Sequence, residues 1–241
     1  MVMNIADKIQ EFIKFNLKDK KAIIGVSGGI DSALVLLLLK KSLPVDQIEA
    51  YFMPEIAGPA RDKEDVAELE KVTGIPIQNV YIDNLVRVFD SLLQVKDRKL
   101  LGNIKSRIRM TVLYYMANKS NGMVVGTTNK TEFLTGYFTK FGDGACDLEP
   151  LISLTKTEVR ELSRELGVPP GILKKPPSAG LWVEQYDERE LGFSYEEIDR
   201  ELEQFIGNGK FSDTSVGKRV SELYENSKHK RMMPAGMNLD D

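Results

Sequence analysis

This chain of 241 residues has few of the side chains that most often bind transition metals, since it contains one cysteine and one histidine. The single Cys146 excludes an intramolecular disulfide and any metal site built from several cysteines. Beyond Cys146 and His229, carboxylate oxygens are the main ligands that remain, and these suit Mg²⁺. If the chain binds a metal, we therefore expect magnesium.

Long apolar segments and a surplus of basic residues are also missing. The longest apolar run, Ala33–Leu39, is far shorter than the ~20 residues that span a bilayer. The amphipathic N-terminus carries charges where a signal peptide is apolar. A formal net charge of -3 lacks the basic excess of a general nucleic-acid-binding protein. We expect a cytoplasmic protein that binds neither membrane nor nucleic acid.

The first half of the chain alternates between strand and helix patterns. Short apolar, β-branched runs predict four buried strands at Lys21–Val26, Ile48–Met53, Ile77–Ile82 and Met123–Gly126. Helical spacing predicts the helices between and around them, at Met1–Leu17, Asp31–Ser42, Arg61–Thr73, Asn84–Leu93 and Leu100–Ser120. This alternation predicts an α/β fold, a doubly wound parallel sheet with helices on both faces.

The second half is less regular. Thr135–Leu148 is rich in glycine and predicts a mobile loop. Thr155–Glu158 and Ser194–Glu197 are capping boxes that each open a helix, and Thr214–Asn226 suggests a last helix. We expect a single domain over residues 1–241, with a helical C-terminal part from about residue 190.

A glycine-rich turn joins the first predicted strand to the helix that follows it. Its candidate nucleotide contacts are Gly25, Val26, Ser27, Gly28, Gly29, Ile30, Asp31 and Ser32. Paired glycines let the backbone approach an anion, and the helix N-terminus directs free N–H groups toward it. Asp31 fits such a site when Mg²⁺ bridges it to phosphate. The turn has neither the lysine of a Walker A loop nor the spacing of a dinucleotide fingerprint. A tight turn with an ordinary helix cap is the alternative.

Ser27–Ser32 resembles the pyrophosphate loop of the N-type ATP pyrophosphatases, whose fold is adenine nucleotide alpha hydrolase-like. Members of that superfamily cleave ATP between the α- and β-phosphates and adenylate a carboxylate or carbonyl oxygen. A nitrogen or sulfur nucleophile then displaces AMP. The loop therefore implies the chemistry and leaves the substrate open.

From end to end, the chain resembles the NAD synthetase family within this superfamily. The matching segments are Asn103–Met110, Val124–Glu132, Gly136–Asp147, Pro150–Lys156, Lys175–Ser178 and His229–Lys230. The resemblance implies contacts to deamido-NAD from Arg107, Lys140, Asp147, His229 and Lys230. It implies further ATP contacts from Thr127, Lys156 and Ser178, and Mg²⁺ ligation by Asp31 and Glu132. The residues that it implies for catalysis are Asp31, Lys156 and Asp147.

The resemblance also implies the reaction, in which ammonia amidates deamido-NAD at the expense of ATP to give NAD, AMP and pyrophosphate. Because the chain has no room for a fused glutaminase domain, we expect free ammonia to be the nitrogen source. Cys146 lacks an adjacent activating group and is interpreted as a bystander.

Several alternatives remain open at this point. A GMP-synthetase-like core or a tRNA thiolase would share the chemistry, and a nucleotide sensor would keep the loop without catalysis. The resemblance implies a homodimer. The stripe Ile104, Ile108, Val112 and Tyr115 is either its interface or an internal core face.

Overall fold

The computed structural model describes residues 4–56, 58–182, 184–234 and 236. Four parallel strands form one sheet in the order β3-β2-β1-β4. Their bounds are β1 Lys21–Gly25, β2 Ile48–Phe52, β3 Ile77–Asn79 and β4 Gly122–Val125. The predicted parallel sheet is confirmed. β3 is shorter than predicted. Beyond Asn79, the pairing with the β2 segment continues only through one backbone hydrogen bond from Val80 and one from Ile82.

Eleven α-helices are found in the described residues: α1 Ile5–Leu17, α2 Ile30–Ser42, α3 Ala60–Thr73, α4 Asp83–Leu93, α5 Arg98–Ser120, α6 Lys130–Thr135, α7 Lys156–Leu166, α8 Pro170–Leu173, α9 Asp187–Leu191, α10 Tyr195–Asn208 and α11 Ser215–Asn226. Each helix predicted from the sequence is present within a few residues of its expected bounds, except that residues 1–3 of the predicted helix Met1–Leu17 lie outside the described part of the chain. The short helices α6, α8 and α9 have no counterpart among the predicted elements. No helix in the part of the chain described here is both long and apolar enough to cross a bilayer.

Helices cover both faces of the sheet, because successive strand residues point in opposite directions. Ala22 and Ile24 of β1 face the core that includes α1, α2, α3 and α7, whereas Ile23 faces α4 and α5. α2 buries its whole run Ala33–Leu39, which explains why this helix is apolar all round. Full burial of one such leucine contributes about 1.5–3 kcal/mol.

The stripe on α5 belongs mainly to the core. Ile108 is buried, and Ile104 and Val112 pack against the cluster beneath α4 and α5. Tyr115 is 62% exposed and is the one member of the stripe that faces solvent. The core interpretation therefore holds for three of the four stripe positions.

The C-terminal helices pack beside the carboxyl edge of the sheet. Tyr195, Ile198 and Leu202 of α10 form a buried cluster with Val220 of α11. Leu134 of α6 packs against this cluster. α6 begins only a few residues after β4 ends, so the C-terminal helices lie next to the strand ends where ligands of such sheets bind.

The glycine-rich segment after α6 is docked on α5. Thr139 Oγ1 donates to Asn103 Oδ1 at 2.8 Å, and Ser106 Oγ donates to Asp143 Oδ1 at 2.6 Å. The Asp143 N–H donates back to Ser106 Oγ at 2.8 Å. Gly142 permits this contact, since an added Cβ would lie 2.3 Å from Ser106 Oγ. The mobility of this segment stays a prediction.

Candidate active site

The turn between β1 and α2 has the geometry of an anion site. Gly28 has a φ of +78°, and an added Cβ would lie 3.2 Å from the carbonyl oxygen of Asp62. Ser32 Oγ accepts from the Ser27 N–H at 3.2 Å and donates to the Gly29 carbonyl at 3.1 Å. No side chain among the described residues caps the N-terminus of α2. The first N–H groups of α2 can therefore donate to a phosphate.

One buried lysine joins two carboxylates beside this turn. Lys156 Nζ lies 2.6 Å from Asp31 Oδ2 and 3.0 Å from Glu132 Oε1. The Asn129 side-chain amide donates to Asp31 Oδ1 at 2.9 Å. Lys156 is only 2% exposed, and the ring of Tyr195 faces its ammonium at 5.2 Å. The fold thus brings the N-termini of α2, α6 and α7 to one point.

Charge and burial oppose each other in this cluster. Burial by itself disfavours the charged form of Lys156, but Asp31 and Glu132 outweigh it and raise the lysine pKa. Burial also raises the pKa of Glu132; Lys156 opposes that shift, while Asp31 adds to it. One ammonium between two carboxylates leaves an excess of negative charge when both are ionised. A cation would balance that excess.

The donor set fits Mg²⁺, which typically binds one or two protein carboxylates and takes its other ligands from water and phosphate. Asp31 and Glu132 supply two carboxylates that reach the same ammonium. Within the described ranges no group of three or more histidine, cysteine, aspartate or glutamate side chains could hold a metal. The remaining ligands of a magnesium ion here would have to come from nucleotide phosphates and water.

The basic residues expected to bind the substrate form a second group. Arg107 Nε and Nη2 both donate to the Lys140 carbonyl at 3.3 Å, and Lys140 Nζ donates to the His229 carbonyl at 2.7 Å. Lys230 Nζ donates to the carbonyls of Gly136 and Phe138 at 2.7 and 2.6 Å. Burial lowers the pKa of Lys230. Arg107, Lys140 and Lys230 form no salt bridge with the residues that the structure describes.

Three further predicted site residues follow β4 in the chain, and one of them, Ser178, lies between α8 and α9. Thr127 follows the end of β4. Asp147 is exposed; its Oδ2 accepts from the Val124 N–H of β4 at 2.7 Å, and its carboxylate also contacts the Tyr114 hydroxyl of α5, so these contacts are not to the basic group. Ser178 Oγ accepts from the Gly180 N–H at 3.1 Å. The segment that carries Ser178 reaches the glycine turn through Lys175 Nζ, which lies 3.3 Å from the Gly28 carbonyl.

Asn129 and Glu149 stand close to the site but are absent from the residues singled out by sequence. Asn129 caps α6 in a capping box with Glu132, and this Asn-x-x-Glu spacing is a signal that the sequence contains. Glu149 Oε2 accepts from the Thr128 N–H at 3.0 Å, and burial raises the pKa of its carboxyl to about 7. No local pattern indicates Glu149, because its burial comes from the packing of distant segments.

Cys146 has the environment of an unreactive thiol. Its Sγ donates to Glu149 Oε1 at 3.1 Å. Burial and the nearby Glu149 carboxylate raise the pKa of Cys146 well above its ordinary value. Since the thiolate is the nucleophilic form, this environment agrees with the bystander interpretation.

A parallel sheet with an uncapped helix behind a glycine turn, and a lysine–dicarboxylate cluster at the strand ends, is an α/β arrangement that suits a nucleotide-binding protein, as the resemblance to the ATP pyrophosphatases implies. The family model described as NAD synthase matches residues 1–234. The chain belongs to the NAD synthase family.

Individual relatives agree with this assignment over nearly their whole length. The chain is 49% identical over 233 residues to the NH(3)-dependent NAD(+) synthetase of Picrophilus torridus, covering 97% of this chain and 94% of that protein. The structure of NMN synthetase from Francisella tularensis is similar with a TM-score of 0.88 and 35% identity, covering 98% of each chain. The NH3-dependent NAD synthetase of Campylobacter jejuni is similar with a TM-score of 0.85 and 29% identity, covering 98% of this chain and 100% of that chain.

Proposed function

We propose that this chain catalyses the ATP-dependent amidation of deamido-NAD by ammonia, giving NAD, AMP and pyrophosphate. The observation that carries the proposal is the buried Lys156, held between Asp31 and Glu132 beside the glycine turn in a member of the NAD synthase family. This arrangement suits cleavage of a triphosphate. The amidation of a nicotinate carboxylate follows from the named function of the full-length relatives.

The first step activates the carboxylate. A nicotinate carboxylate oxygen attacks the α-phosphorus of ATP, the bond to the bridging oxygen breaks, and pyrophosphate leaves. Negative charge grows on the phosphate oxygens in this transition state. We propose that Lys156 and the N–H groups at the start of α2 stabilise that charge, with Thr127 and Ser178 as further ATP contacts.

Mg²⁺ is proposed to bind Asp31 and Glu132, and when bound it would neutralise charge on the triphosphate and on the departing pyrophosphate. The described contacts of the two carboxylates support this assignment. Asn129 holds Asp31 through Oδ1, and the Asn129 N–H donates to Glu132 Oε2 at 3.2 Å. Both carboxylates are thereby oriented toward the same point.

The second step forms the amide. Ammonia attacks the adenylated carboxyl carbon, the bond to the AMP oxygen breaks, and the surplus proton leaves to a base or to solvent. Water would destroy the adenylate, so a closed site favours amidation over hydrolysis. The segment 136–147, docked on α5, is the proposed cover of the site.

Arg107, Lys140 and Lys230 are proposed to bind the phosphates of deamido-NAD, and His229 and Asp147 are proposed as further contacts to the same substrate. Arg107 and Lys140 are joined by hydrogen bonds that end at His229, the neighbour of Lys230, and the three cations form no salt bridge with the described residues. They are therefore available to an anionic ligand, and Arg107 can bind phosphate in a bidentate manner.

A second substrate is favoured by one specific observation, the similarity to the NMN synthetase structure. Deamido-NMN carries the same nicotinate carboxylate but one phosphate and no adenosine. The same adenylation chemistry would amidate it. The relatives at higher identity are named for NAD synthesis, and this is why we place deamido-NAD first.

The test is a direct assay with the pure protein. ATP, Mg²⁺ and ammonium are supplied with deamido-NAD, deamido-NMN or xanthosine monophosphate in parallel, and the amidated product and AMP are separated by chromatography. We expect NAD and AMP in equal amounts. Turnover of deamido-NMN alone would establish the second candidate, and turnover of xanthosine monophosphate alone would exclude both.

A matched pair of arginine variants tests the substrate site. Arg107→Ala removes a charged donor worth about 1.5–3 kcal/mol, so the KM for deamido-NAD should rise about 10- to 100-fold while the KM for ATP stays unchanged. Arg164→Ala removes an exposed arginine of α7 and should change neither constant. Equal effects of the two substitutions would contradict the assignment.

We also propose a homodimer that forms through the outer face of α4. Only Val86 of α4 is buried. The apolar residues of this helix that remain exposed are Leu85, Val88, Phe89, Leu92 and Leu93. Such a continuous apolar face is typical of a protein–protein interface.

Light scattering tests the dimer. Leu92→Glu should give a monomer, whereas Phe15→Glu, an equally exposed apolar position at 74% on α1, should leave the dimer intact. A monomeric wild type would contradict the proposal.

Two further assignments remain proposals. A single domain over residues 1–241 is supported by the packing of α10 on α6 and α7, although residues 1–3 and 237–241 lie outside the described part. A cytoplasmic location is supported by the need for ATP, and cell fractionation tests it.

A further inference from the structure

A buried carboxylate on α10 contacts the first turns of two other helices. Asp199 is 3% exposed. Its Oδ2 accepts from the Thr157 N–H at 2.9 Å and from the Thr157 hydroxyl at 2.7 Å, and its Oδ1 accepts from the Thr131 hydroxyl. Asp199 forms no salt bridge within the part of the chain that the structure describes. Its charge is stabilised by these donors and by the N-terminus of α7.

The Thr131 hydroxyl extends this contact to the backbone of α7. It donates to Asp199 and accepts from the Lys156 N–H at 2.9 Å. Thr131 is fully buried. The Asp199 carboxylate therefore contacts α6 through Thr131. It contacts α7 directly through Thr157 and indirectly through Thr131, which accepts from the Lys156 N–H.

The two anchored threonines are the sequence neighbours of two proposed site residues. Thr131 precedes Glu132, and Thr157 follows Lys156. The side chains of Glu132 and Lys156 meet at 3.0 Å. A displacement of the first turn of α6 or α7 would change the distance between the side chains of Glu132 and Lys156. Such a displacement would also break a hydrogen bond to Asp199 or to Thr131.

Helix capping alone does not explain why Asp199 contacts the first turns of α6 and α7. α7 already has its own capping box, in which the Thr155 side chain accepts from the Glu158 N–H. α6 is capped in the same way by Asn129. The additional contribution of Asp199 is to set the position of α6 relative to α7.

We propose that Asp199 is a positioning residue, which fixes Lys156 and Glu132 in the geometry for adenylation by holding Thr131 and Thr157. This inference rests on the proposed function and extends it to a helix of the C-terminal part. It assigns to α10 a role in catalysis besides its role in packing.

Asp199→Asn is the main test, because asparagine keeps the shape but has one acceptor oxygen where aspartate has two. Either the Thr131 hydroxyl or the Thr157 donors must then face an amide NH₂ group. We expect kcat to fall about 10- to 100-fold, as for other residues that orient site carboxylates, with the KM for ATP within about twofold of wild type. Asp213→Asn, an exposed aspartate that pairs with Lys218 at 3.0 Å, is the charge-matched control and should leave kcat unchanged.

Variants of Thr131 keep the test decisive if Asp199→Asn does not fold. Thr131→Val removes the hydroxyl at nearly constant volume and should lower kcat in the same way. Thr131→Ser keeps the hydroxyl and should restore most of the rate. All rates are taken at a temperature where circular dichroism shows each variant to be folded, so a merely structural loss would not change kcat per folded molecule.

The two proposals fail in distinguishable ways. If wild-type protein makes no NAD, the proposed function is wrong, and the positioning test moves to whichever substrate is turned over. If wild type is active while folded Asp199→Asn or Thr131→Val retains its full kcat, the positioning inference is overturned. Equal losses in Thr131→Ser and Thr131→Val would also overturn it, because the hydroxyl would then be irrelevant.

Discussion

Replacing Lys156 by methionine should destabilise the fold as well as abolish activity. In the wild type, Lys156 Nζ lies 2.6 Å from Asp31 Oδ2 and 3.0 Å from Glu132 Oε1. Methionine keeps the length of the side chain but removes the positive charge that the two carboxylates share. Removing one partner of a buried ion pair costs about 3–5 kcal/mol. For a chain of this size, that corresponds to a fall in Tm of roughly 6–20 °C.

The carboxylates supply the internal check. Glu132→Gln removes one negative charge and leaves Lys156 paired with Asp31, so we expect a loss of only about 1 kcal/mol. In the double variant the repulsion between the carboxylates is gone, so part of the stability lost in Lys156→Met should return. The coupling free energy should be about 1–3 kcal/mol. Activity should not return, because the lysine proposed to stabilise the phosphate charge is still absent.

The assay is urea unfolding followed by far-UV circular dichroism, with all four proteins at neutral pH. Because burial and Asp31 raise the pKa of Glu132, a second series at higher pH should show a larger loss for Lys156→Met, since more of the Glu132 carboxyl is then ionised. Two results would refute the reasoning: a loss below about 1 kcal/mol for Lys156→Met, or single-variant losses that add within about 0.5 kcal/mol.

Three shorter predictions concern packing, capping and pH. Gly136→Ala should cost about 1–3 kcal/mol in urea unfolding, since the new Cβ would lie 2.0 Å from Ser227 Cβ; Gly167→Ala, also at positive φ but with open space around it, should cost less. Thr155→Ala should cost about 1 kcal/mol through loss of the α7 cap, and Thr155→Ser should restore most of it. Because the carboxyl pKa of Glu149 is raised from 4.5 to about 7 in the folded state, the unfolding free energy should fall as pH rises through that interval and then level off. Glu149→Gln should remove this dependence, worth about 3 kcal/mol at most, and an unchanged pH profile would contradict the raised pKa of the carboxyl.

Local patterns were sufficient to predict most of the fold. The four strands and the eight longer helices follow from periodicities within single segments, and the capping boxes at Thr155 and Ser194 have the predicted partners. The short helices were not predicted, because four to six residues contain too little periodicity to stand out. For α6 the Asn129-x-x-Glu132 spacing was a usable signal, since the cap itself is a local feature.

The identity of the candidate site residues came from resemblance to a family, and their arrangement came from folding. Asp31 and Lys156 are 125 positions apart in the chain, yet their side chains meet at 2.6 Å. No spacing rule connects positions so distant. The approach depends on parallel strands that place their carboxyl ends at one edge of the sheet, where the N-termini of α2, α6 and α7 converge.

The strands, the longer helices and the glycine turn could be predicted from the sequence, because each depends on residues within about ten positions of one another, whereas the expected chemistry came from the family resemblance. Only folding gives Glu149 the surroundings that raise its pKa, joins α6 to α7 through Asp199, and places most of the α5 stripe in the core. Burial and charge pairing depend on which distant segments pack together. A single side chain acquires them only when the whole chain has folded.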